Sequence, residues 1–380
     1  MNKQVRQLLQ IAEQPTRLIV GLMSGTSLDG LDIALCECGT EAIRVKEFKT
    51  VEYDPVLRKR IGSIQSRQEI DLERLCVLNT ELAHYYAEKV SGALQEWGVD
   101  REDVDLIASH GQTVYHRPDD EKTSTLQIVD GDHIAHKTGI ITISDFRQKH
   151  TAAGGQGAPL AAFMDEHLFR DDETHRVLLN LGGIANFTWL PCRHSGRDIL
   201  TSDTGPANTL INQAMQHYFD QPFDKDGETA ASGKVDSELL KYLLLEPYFR
   251  KPFPKTTGQE EFNLELVEKI MQGYRLEVSP EDFIATLTKL TYKSIERAFD
   301  SVIGDEEYEL YVSGGGIHNP VIMQGLKDNL ANATIRPFEE LGMPPDAKEA
   351  ALMAFLANEF VMGRTFEVNG KEVSLGKVSL

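Results

Sequence analysis

Three glycine-rich turns, each directly after a β-type run, constrain the fold of this chain more than any other feature. The first is Gly21-Leu22-Met23-Ser24-Gly25-Thr26-Ser27-Leu28-Asp29-Gly30. The second is Asn180-Leu181-Gly182-Gly183-Ile184-Ala185-Asn186, and the third Ser313-Gly314-Gly315-Gly316-Ile317-His318-Asn319-Pro320. Glycine permits positive φ and lets backbone N–H groups approach a phosphate closely, so small turns can replace bulky cationic side chains. Three such turns in one chain read as a nucleotide clamp and point to ATP. A Walker A loop is excluded, because Gly233-Lys234 lacks the upstream glycine and the following hydroxyl residue.

At 380 residues the chain exceeds one ordinary core, so two domains are expected. β-type runs occupy residues 17–23, 31–38, 104–109, 140–144, 177–181, 187–190 and 310–312. Helical periodicity covers 72–97, 159–169, a stretch opening near Pro206 and carrying Leu210, Ile211, Ala214 and Met215, then 239–245, 264–273, 283–299, 322–330 and 347–360. Strand–turn patterns opening both halves, with helices between, indicate α/β architecture. Gly154, Gly155 and Gly157 make residues 151–159 the softest segment and the expected hinge. The expected domains are 1–147, completed by 361–380, and 148–360.

The net charge of −20 argues against a nucleic-acid partner, which needs a basic stripe, but leaves ATP open. Cys36, Cys38, Cys76 and Cys192 show neither metal nor disulfide spacing, and Cys36 and Cys38 read as core residues on one strand face. Residues 1–17 lack the apolar region of a secretory signal, and no apolar run reaches membrane-spanning length. These features imply a reduced, cytoplasmic protein with no membrane partner.

Within the first turn, Gly25, Thr26, Ser27 and Gly30 are placed to cradle phosphates, and Asp29 to hold Mg²⁺ directly or through water. Asp203 has two readings: an N-cap for the helix opening near Pro206, or an ionised carboxylate that takes a proton during phosphoryl transfer. The third turn reads as packing beside adenine and ribose. His110-Gly111-Gln112-Thr113 and Asp145-Phe146-Arg147 read as loop-borne polar clusters suited to sugar recognition. His133 and His136 have no companion ligands at metal spacing, and zincin and α/β-hydrolase signatures are absent.

Met23 to Asp32 resembles the opening signature of the anhydro-N-acetylmuramic acid kinase family. The resemblance continues through Ser109-His110-Gly111-Gln112-Thr113, Asp145-Phe146-Arg147, Ala153-Gly154-Gly155-Gln156-Gly157-Ala158-Pro159-Leu160 and Asn180-Leu181-Gly182-Gly183. It runs on through Asp203-Thr204-Gly205-Pro206 and Ser313-Gly314-Gly315-Gly316 to Asn319-Pro320. It implies a two-domain actin-like ATPase (sugar kinase) fold, with an ATP cleft between α/β domains. It also implies a cytoplasmic homodimer of peptidoglycan recycling. Such an enzyme opens the 1,6-anhydro ring of anhydro-N-acetylmuramic acid and phosphorylates the freed 6-oxygen. Carried over, Asp203 is the general base. Gly25, Thr26, Ser27, Leu28, Asp29, Gly30, Leu31, Asp32, Gly182, Gly183, Gly314, Gly315 and Asn319 are nucleotide residues. His110, Gln112, Thr113, Asp145, Arg147 and Gln156 are sugar residues.

The chain departs from the family pattern at His150, where an acidic residue is common, at Ala207, at residues 161–165, and at Gln259, which replaces an arginine and so removes a bidentate carboxylate partner. These departures leave open a kinase for another anhydrosugar, such as levoglucosan. A non-catalytic sensor of ATP or muropeptides is the alternative of another class.

Overall fold

A computed structural model of the protein describes residues 2–26, 28–117, 123–158, 160–258 and 261–380. The expected sites Ser27 and Gln259, and Pro159 of the soft segment, lie outside the described residues. The chain divides into two units, Met1–Leu168 with Gly342–Leu380, and Phe169–Leu341.

In the first unit, β1 (Arg17–Ser24), β2 (Gly30–Cys38) and β3 (Ile43–Glu52) form an antiparallel meander. β4 (Leu106–Arg117) lies parallel to β1, β5 (Ser124–Ile128) pairs with β4, and β6 (Thr142–Ser144) lies parallel to β4. The sheet order is β3-β2-β1-β4-β6, with the strand Lys377–Ser379 antiparallel at the β6 edge. Strand alternation then assigns the faces. Val20 and Leu22 join Leu78, Leu82, Tyr86 and Val90 of the helix Leu72–Trp97 in one core. Asp71 caps that helix through the N–H groups of Glu73 and Arg74, and Gly98 ends it in the left-handed conformation. On the opposite face the alanine-rich helix Lys348–Val361 crosses β1, β2 and β4. Its approach is so close that a Cβ on Gly21 would stand 1.9 Å from the Ala350 carbonyl oxygen. Cys36 and Cys38 are both fully buried, as their spacing suggested.

In the second unit, β7 (Arg176–Leu181), β8 (Ile184–Leu190) and β9 (Leu200–Pro206) form another antiparallel meander, with β10 (Tyr308–Ser313) and β11 (Ala333–Arg336) added in parallel. The order is β9-β8-β7-β10-β11. Each unit is therefore a three-strand meander followed by two strands parallel to its first. The repeat is one of topology, for no sequence repeat accompanies it. The helices Asn208–Phe219, Pro280–Val302 and Pro320–Asn329 bury their apolar sides against Val177, Leu179, Leu181, Phe187 and Trp189. Two α/β units of this order match the actin-like ATPase (sugar kinase) architecture that the resemblance implies. Among the described residues no helix is long and apolar enough to cross a membrane.

Three details differ from the sequence expectations. Residues 148–168 and the helix Lys348–Val361 group with the first unit, because that helix covers β1, β2 and β4. His110 to Thr113 do not form a loop. Gly111, at φ +77°, lies in the irregularity where the pairing of β4 with β1 shifts register, and from Gln112 the strand also pairs with β5. Asp203 is not a helix cap: it lies inside β9, and the helix behind it begins at Asn208 with Ala207 at the cap position.

Candidate active site

The turn between β1 and β2 is held by its carbonyl groups. Gln112 donates from Nε2 to the Gly25 carbonyl at 3.2 Å, and Gln65 to that of Thr26 at 3.0 Å. The Tyr53 N–H donates to the Asp29 carbonyl at 3.1 Å. Ser24 Oγ lies 3.0 Å from the Gly30 carbonyl and 2.7 Å from Gln112 Oε1, and it accepts from the Tyr53 hydroxyl at 2.9 Å. C=O and N–H point oppositely in a trans peptide. Fixing these carbonyls inward turns the amides outward, the arrangement that binds anions. Leu28, at φ +59°, and Leu31 insert their side chains into the core, so only their backbone is available to a nucleotide.

Asp29 is exposed and pairs with Arg58 at 3.3 Å. Asp32 is more enclosed and accepts from the Thr50 hydroxyl at 2.6 Å. Burial pushes its carboxyl upward, and Asp346 and Asp29 add to the shift. That crowding of negative charge fits a cation at Asp32. Among the described residues no three His, Cys, Asp or Glu side chains converge on a metal site. A Mg²⁺ here would therefore complete its shell with nucleotide oxygens and water, as this ion commonly does.

A cavity of about 330 Å³ opens beside the middle of β4 and the end of β6, lined by Ser109, His110, Asp130, Ser144, Asp145 and Lys377 among others. His110 is buried, and its Nδ1 lies 3.0 Å from the Gly111 carbonyl, so Nδ1 carries the proton. Nε2 is left as a buried acceptor without a partner. Burial first, and then the Arg147 cation, push the imidazole down to about 3, so it is neutral. Asp145 pairs with Lys377. The sugar residues expected from the sequence do not all gather here. Gln112 is fully buried and spent on the first turn, and Thr113 accepts from Gln127 at 3.2 Å. Gln156 is exposed on the 154–157 turn. His150 organises that turn by accepting the Gly157 N–H on Nδ1 at 2.8 Å. A carboxylate could make the same bond, and burial keeps the imidazole neutral, so this departure preserves an acceptor.

Arg147 acts electrostatically on Glu349, at the start of the helix Lys348–Val361. Solvent reaches Glu349 although protein atoms crowd it. That crowding, with Asp32, raises its carboxyl, while Lys348 and Arg147 pull the other way. Nothing in the sequence marks out Glu349, because a glutamate in a first helical turn is an ordinary partner of the helix dipole.

In the second unit the turn between β7 and β8 is clamped by the start of the helix Asn208–Phe219. The N–H groups of Ala207 and Thr209 donate to the Gly183 carbonyl, and that of Asn208 to the Gly182 carbonyl, at 3.0–3.1 Å. Asn208 Nδ2 adds bonds to the carbonyls of Leu181 and Gly182, both at 2.9 Å. The amides of Gly182 and Gly183 accordingly face away from the helix. After β10, Gly314 at φ +84° packs against Asn180 and Leu181, whereas a Cβ on Gly315 would meet only open space. Asn319 caps the helix Pro320–Asn329 through the N–H groups of Val321 and Ile322, which its Oδ1 accepts at 3.0 and 3.2 Å.

Asp203 is half-buried, and its Oδ2 accepts the Thr257 N–H at 2.9 Å. Its N–H donates to the Lys255 carbonyl at 2.9 Å, and its carbonyl accepts from the Tyr248 hydroxyl at 3.0 Å. Burial raises its carboxyl, and the Thr257 amide only partly opposes this. A fixed carboxylate of increased basicity is what a proton acceptor requires.

A model of the anhydro-N-acetylmuramic acid kinase family matches residues 17–374. A Pseudoalteromonas atlantica protein named anhydro-N-acetylmuramic acid kinase is 43% identical, over 100% of this chain and 99% of its own. One of that name from Caldanaerobacter subterraneus subsp. tengcongensis is 37% identical, over 98% and 99%. The chain belongs to the anhydro-N-acetylmuramic acid kinase family. Among solved structures, the activator of the 2-hydroxyisocaproyl-CoA dehydratase from Clostridium difficile with bound ADPNP aligns with TM-score 0.43 at 14% identity, covering 91% of this chain and 96% of that one. The hydrogen bonds of the structure bring in partners that sequence spacing does not reveal: Thr257, Tyr248 and Lys255 around Asp203, and Gln65 and Tyr53 around the first turn. Each acts across a long stretch of chain, through bonds that no local motif encodes.

Proposed function

We propose that this kinase opens the 1,6-anhydro ring of 1,6-anhydro-N-acetylmuramic acid and phosphorylates the 6-oxygen with ATP, giving N-acetylmuramic acid 6-phosphate and ADP. Full-length membership of the family supports the reading. The observation that carries the chemistry is the Asp203 carboxylate, fixed by the Thr257 amide and raised in basicity by burial. Asp203 takes a proton from water as the water oxygen bonds to the anomeric carbon. The bond from that carbon to the 6-oxygen breaks, its electron pair stays on the 6-oxygen, and this oxygen bonds to the γ-phosphorus as ADP leaves. Atoms balance with one water and one phosphoryl group gained by the sugar.

The outward amides of Gly182 and Gly183 and of the first turn suit the phosphates, and the open side of Gly315 suits the adenosine. Mg²⁺ bound with the nucleotide would neutralise phosphate charge, with Asp32 the carboxylate best enclosed to hold it and Asp29 engaged by Arg58. His110 and Asp145 both line the 330 Å³ cavity and are polar groups there that suit the sugar. The same reading makes the protein a cytoplasmic homodimer acting in peptidoglycan recycling. The test is ADP release by purified protein with Mg·ATP and 1,6-anhydro-N-acetylmuramic acid, with levoglucosan in parallel and the product weighed by mass spectrometry. A product heavier by one phosphoryl group plus one water supports the proposal. Turnover of levoglucosan alone, or ATP binding without turnover of either sugar, overturns it.

A further inference from the structure

In a chain of net charge −20, the second unit contains a cavity of about 550 Å³ whose charged lining is wholly basic. Arg250, Lys251, Lys255 and Arg297 face it, and no Asp or Glu is among its described lining residues. Thr204 and Ser294 also line it, with their hydroxyls donating to the carbonyls of Ala185 at 3.3 Å and Thr291 at 2.8 Å. Concentrated positive charge costs free energy unless an anion is present to balance it.

Lys255 gives the cavity its character. The residue is only 8% exposed, and its ammonium donates to the Tyr248 carbonyl at 3.3 Å. It also stands 4.6 Å and 4.3 Å from the ring centres of Tyr248 and Phe253. Among the described residues it forms no ion pair. An ammonium has three N–H donors, so this one retains capacity for an acceptor. Burial lowers its pKa, nearby Lys251 adds to that, and Glu261 opposes it. Glu261 is itself engaged, by Lys251 at 2.8 Å and by the Thr257 hydroxyl at 2.8 Å.

We infer that this cavity is a binding site for a phosphate dianion. Its volume is in the range of about 300–1,000 Å³ in which small organic ligands are held. A dianion with several acceptor oxygens matches multiple cations better than a lone carboxylate, and guanidinium groups pair with it bidentately. Two sources share this chemistry: the sugar phosphate made by the reaction, which rests on the proposed function, and free inorganic phosphate. Occupancy bears on catalysis through the backbone of Lys255. Its carbonyl accepts the Asp203 N–H, and its N–H donates to Ser202 Oγ at 2.9 Å, so the anchor of the cavity is also a splint for the catalytic strand.

Calorimetric titration tests this without turnover. The nucleotide site is first saturated with a non-hydrolysable ATP analogue and Mg²⁺. Sodium phosphate, N-acetylmuramic acid 6-phosphate and unphosphorylated N-acetylmuramic acid are then titrated in separate runs. The expected result is one site per chain for a phosphate-bearing probe, weakened roughly tenfold by Arg250→Ala and again by Arg297→Ala, the scale of a lost charge-assisted hydrogen bond. Tighter binding of the sugar phosphate than of phosphate identifies the product as source, and equal binding identifies inorganic phosphate. Lys255→Met should abolish binding, and the two arginine variants keep the test valid if that protein misfolds. Absence of binding with the nucleotide site filled, binding indifferent to both arginines, or equal binding of the unphosphorylated sugar would each overturn the inference. Because these readings need no catalysis, they stand apart from the outcome of the ADP assay.

Discussion

Replacing Gln112 by Met separates two roles that the sequence could not tell apart, sugar contact and support of the phosphate turn. Met conserves the volume of this fully buried side chain and removes both of its hydrogen bonds. The loss at Ser24 is recoverable, since its hydroxyl still has the Gly30 carbonyl at 3.0 Å. The loss at Gly25 is only partly recoverable: its carbonyl keeps the Leu28 N–H at 3.5 Å, within the turn, but loses the Gln112 Nε2 bond at 3.2 Å that ties it to β4. One such hydrogen bond is worth about 0.5–1.5 kcal/mol. In a unit of this size that lowers Tm by roughly 1–6 °C. If the released turn must be reordered by the nucleotide, at most the same free energy appears in binding, and KM for ATP rises up to about tenfold, with KM for the sugar unchanged. Steady-state kinetics with each substrate varied in turn, together with a melting curve, decide the matter. A raised sugar KM with ATP affinity intact would make Gln112 a sugar ligand and refute the argument.

Asp203→Asn is expected to abolish turnover while ATP affinity is kept and stability at neutral pH is not lost. The folded carboxyl is raised above its unfolded value, so its ionised form is disfavoured by folding, and Asn removes that charge while still accepting from Thr257. In the wild type the base must be ionised, so turnover should rise with pH through a point above the ordinary Asp value; an acid limb at the ordinary value, or near-normal turnover in the variant, would remove Asp203 from the role. Gly315→Val should fold normally but weaken ATP binding by about tenfold or more, since its Cβ points into open space, whereas Gly314→Val should lose stability through its positive φ and contact with Asn180; fluorescence titration with a labelled nucleotide and thermal melts separate the two. Gly21→Ala should destabilise by about 3 kcal/mol or more, because its Cβ would overlap the Ala350 carbonyl, and an unchanged urea midpoint would contradict the packing of that helix on β1.

Local pattern was enough for the elements built from local pattern. The helix at 72–97 has an Asp cap, a left-handed glycine at its end and apolar residues at helical spacing, and it forms over the expected residues. The β1–β2 hairpin follows from two alternating runs flanking a glycine turn. Legibility failed where non-local contacts outweighed local signals. Asp203-Thr204-Gly205-Pro206 looks like a helix entry, yet pairing with Ile184 to Asn186 on one side and the Lys255 carbonyl on the other holds Asp203 in a strand. His110 to Thr113 looks like a loop because of Gly111, yet β5 extends the strand past it. The helix Lys348–Val361 follows the second unit's last strand in sequence, but its run of alanines fits the groove that Gly21 leaves on β1.

The repeated topology explains why glycine turns recur where they do, and why the residues that clamp them escaped notice. In both units the first turn joins strands one and two of the meander, and the chain leaving strand three returns to bind that turn's carbonyls. Tyr53 does so after β3, with its N–H on Asp29 and its hydroxyl on Ser24. Ala207, Asn208 and Thr209 do so after β9, with their N–H groups on Gly182 and Gly183. The chemistry differs because the continuations differ. A helix starting directly after β9 offers free first-turn N–H groups, so the second turn can be bare glycine. After β3 the next helix, Pro55–Gly62, begins only beyond Asp54, so the Tyr53 N–H and the side chains of Gln65 and Gln112 supply the donors instead. Either way the carbonyls are consumed inward and the amides turn outward. The anion-binding property thus belongs to the meander and its exit segment together, while the glycines only make the outward turn sterically possible.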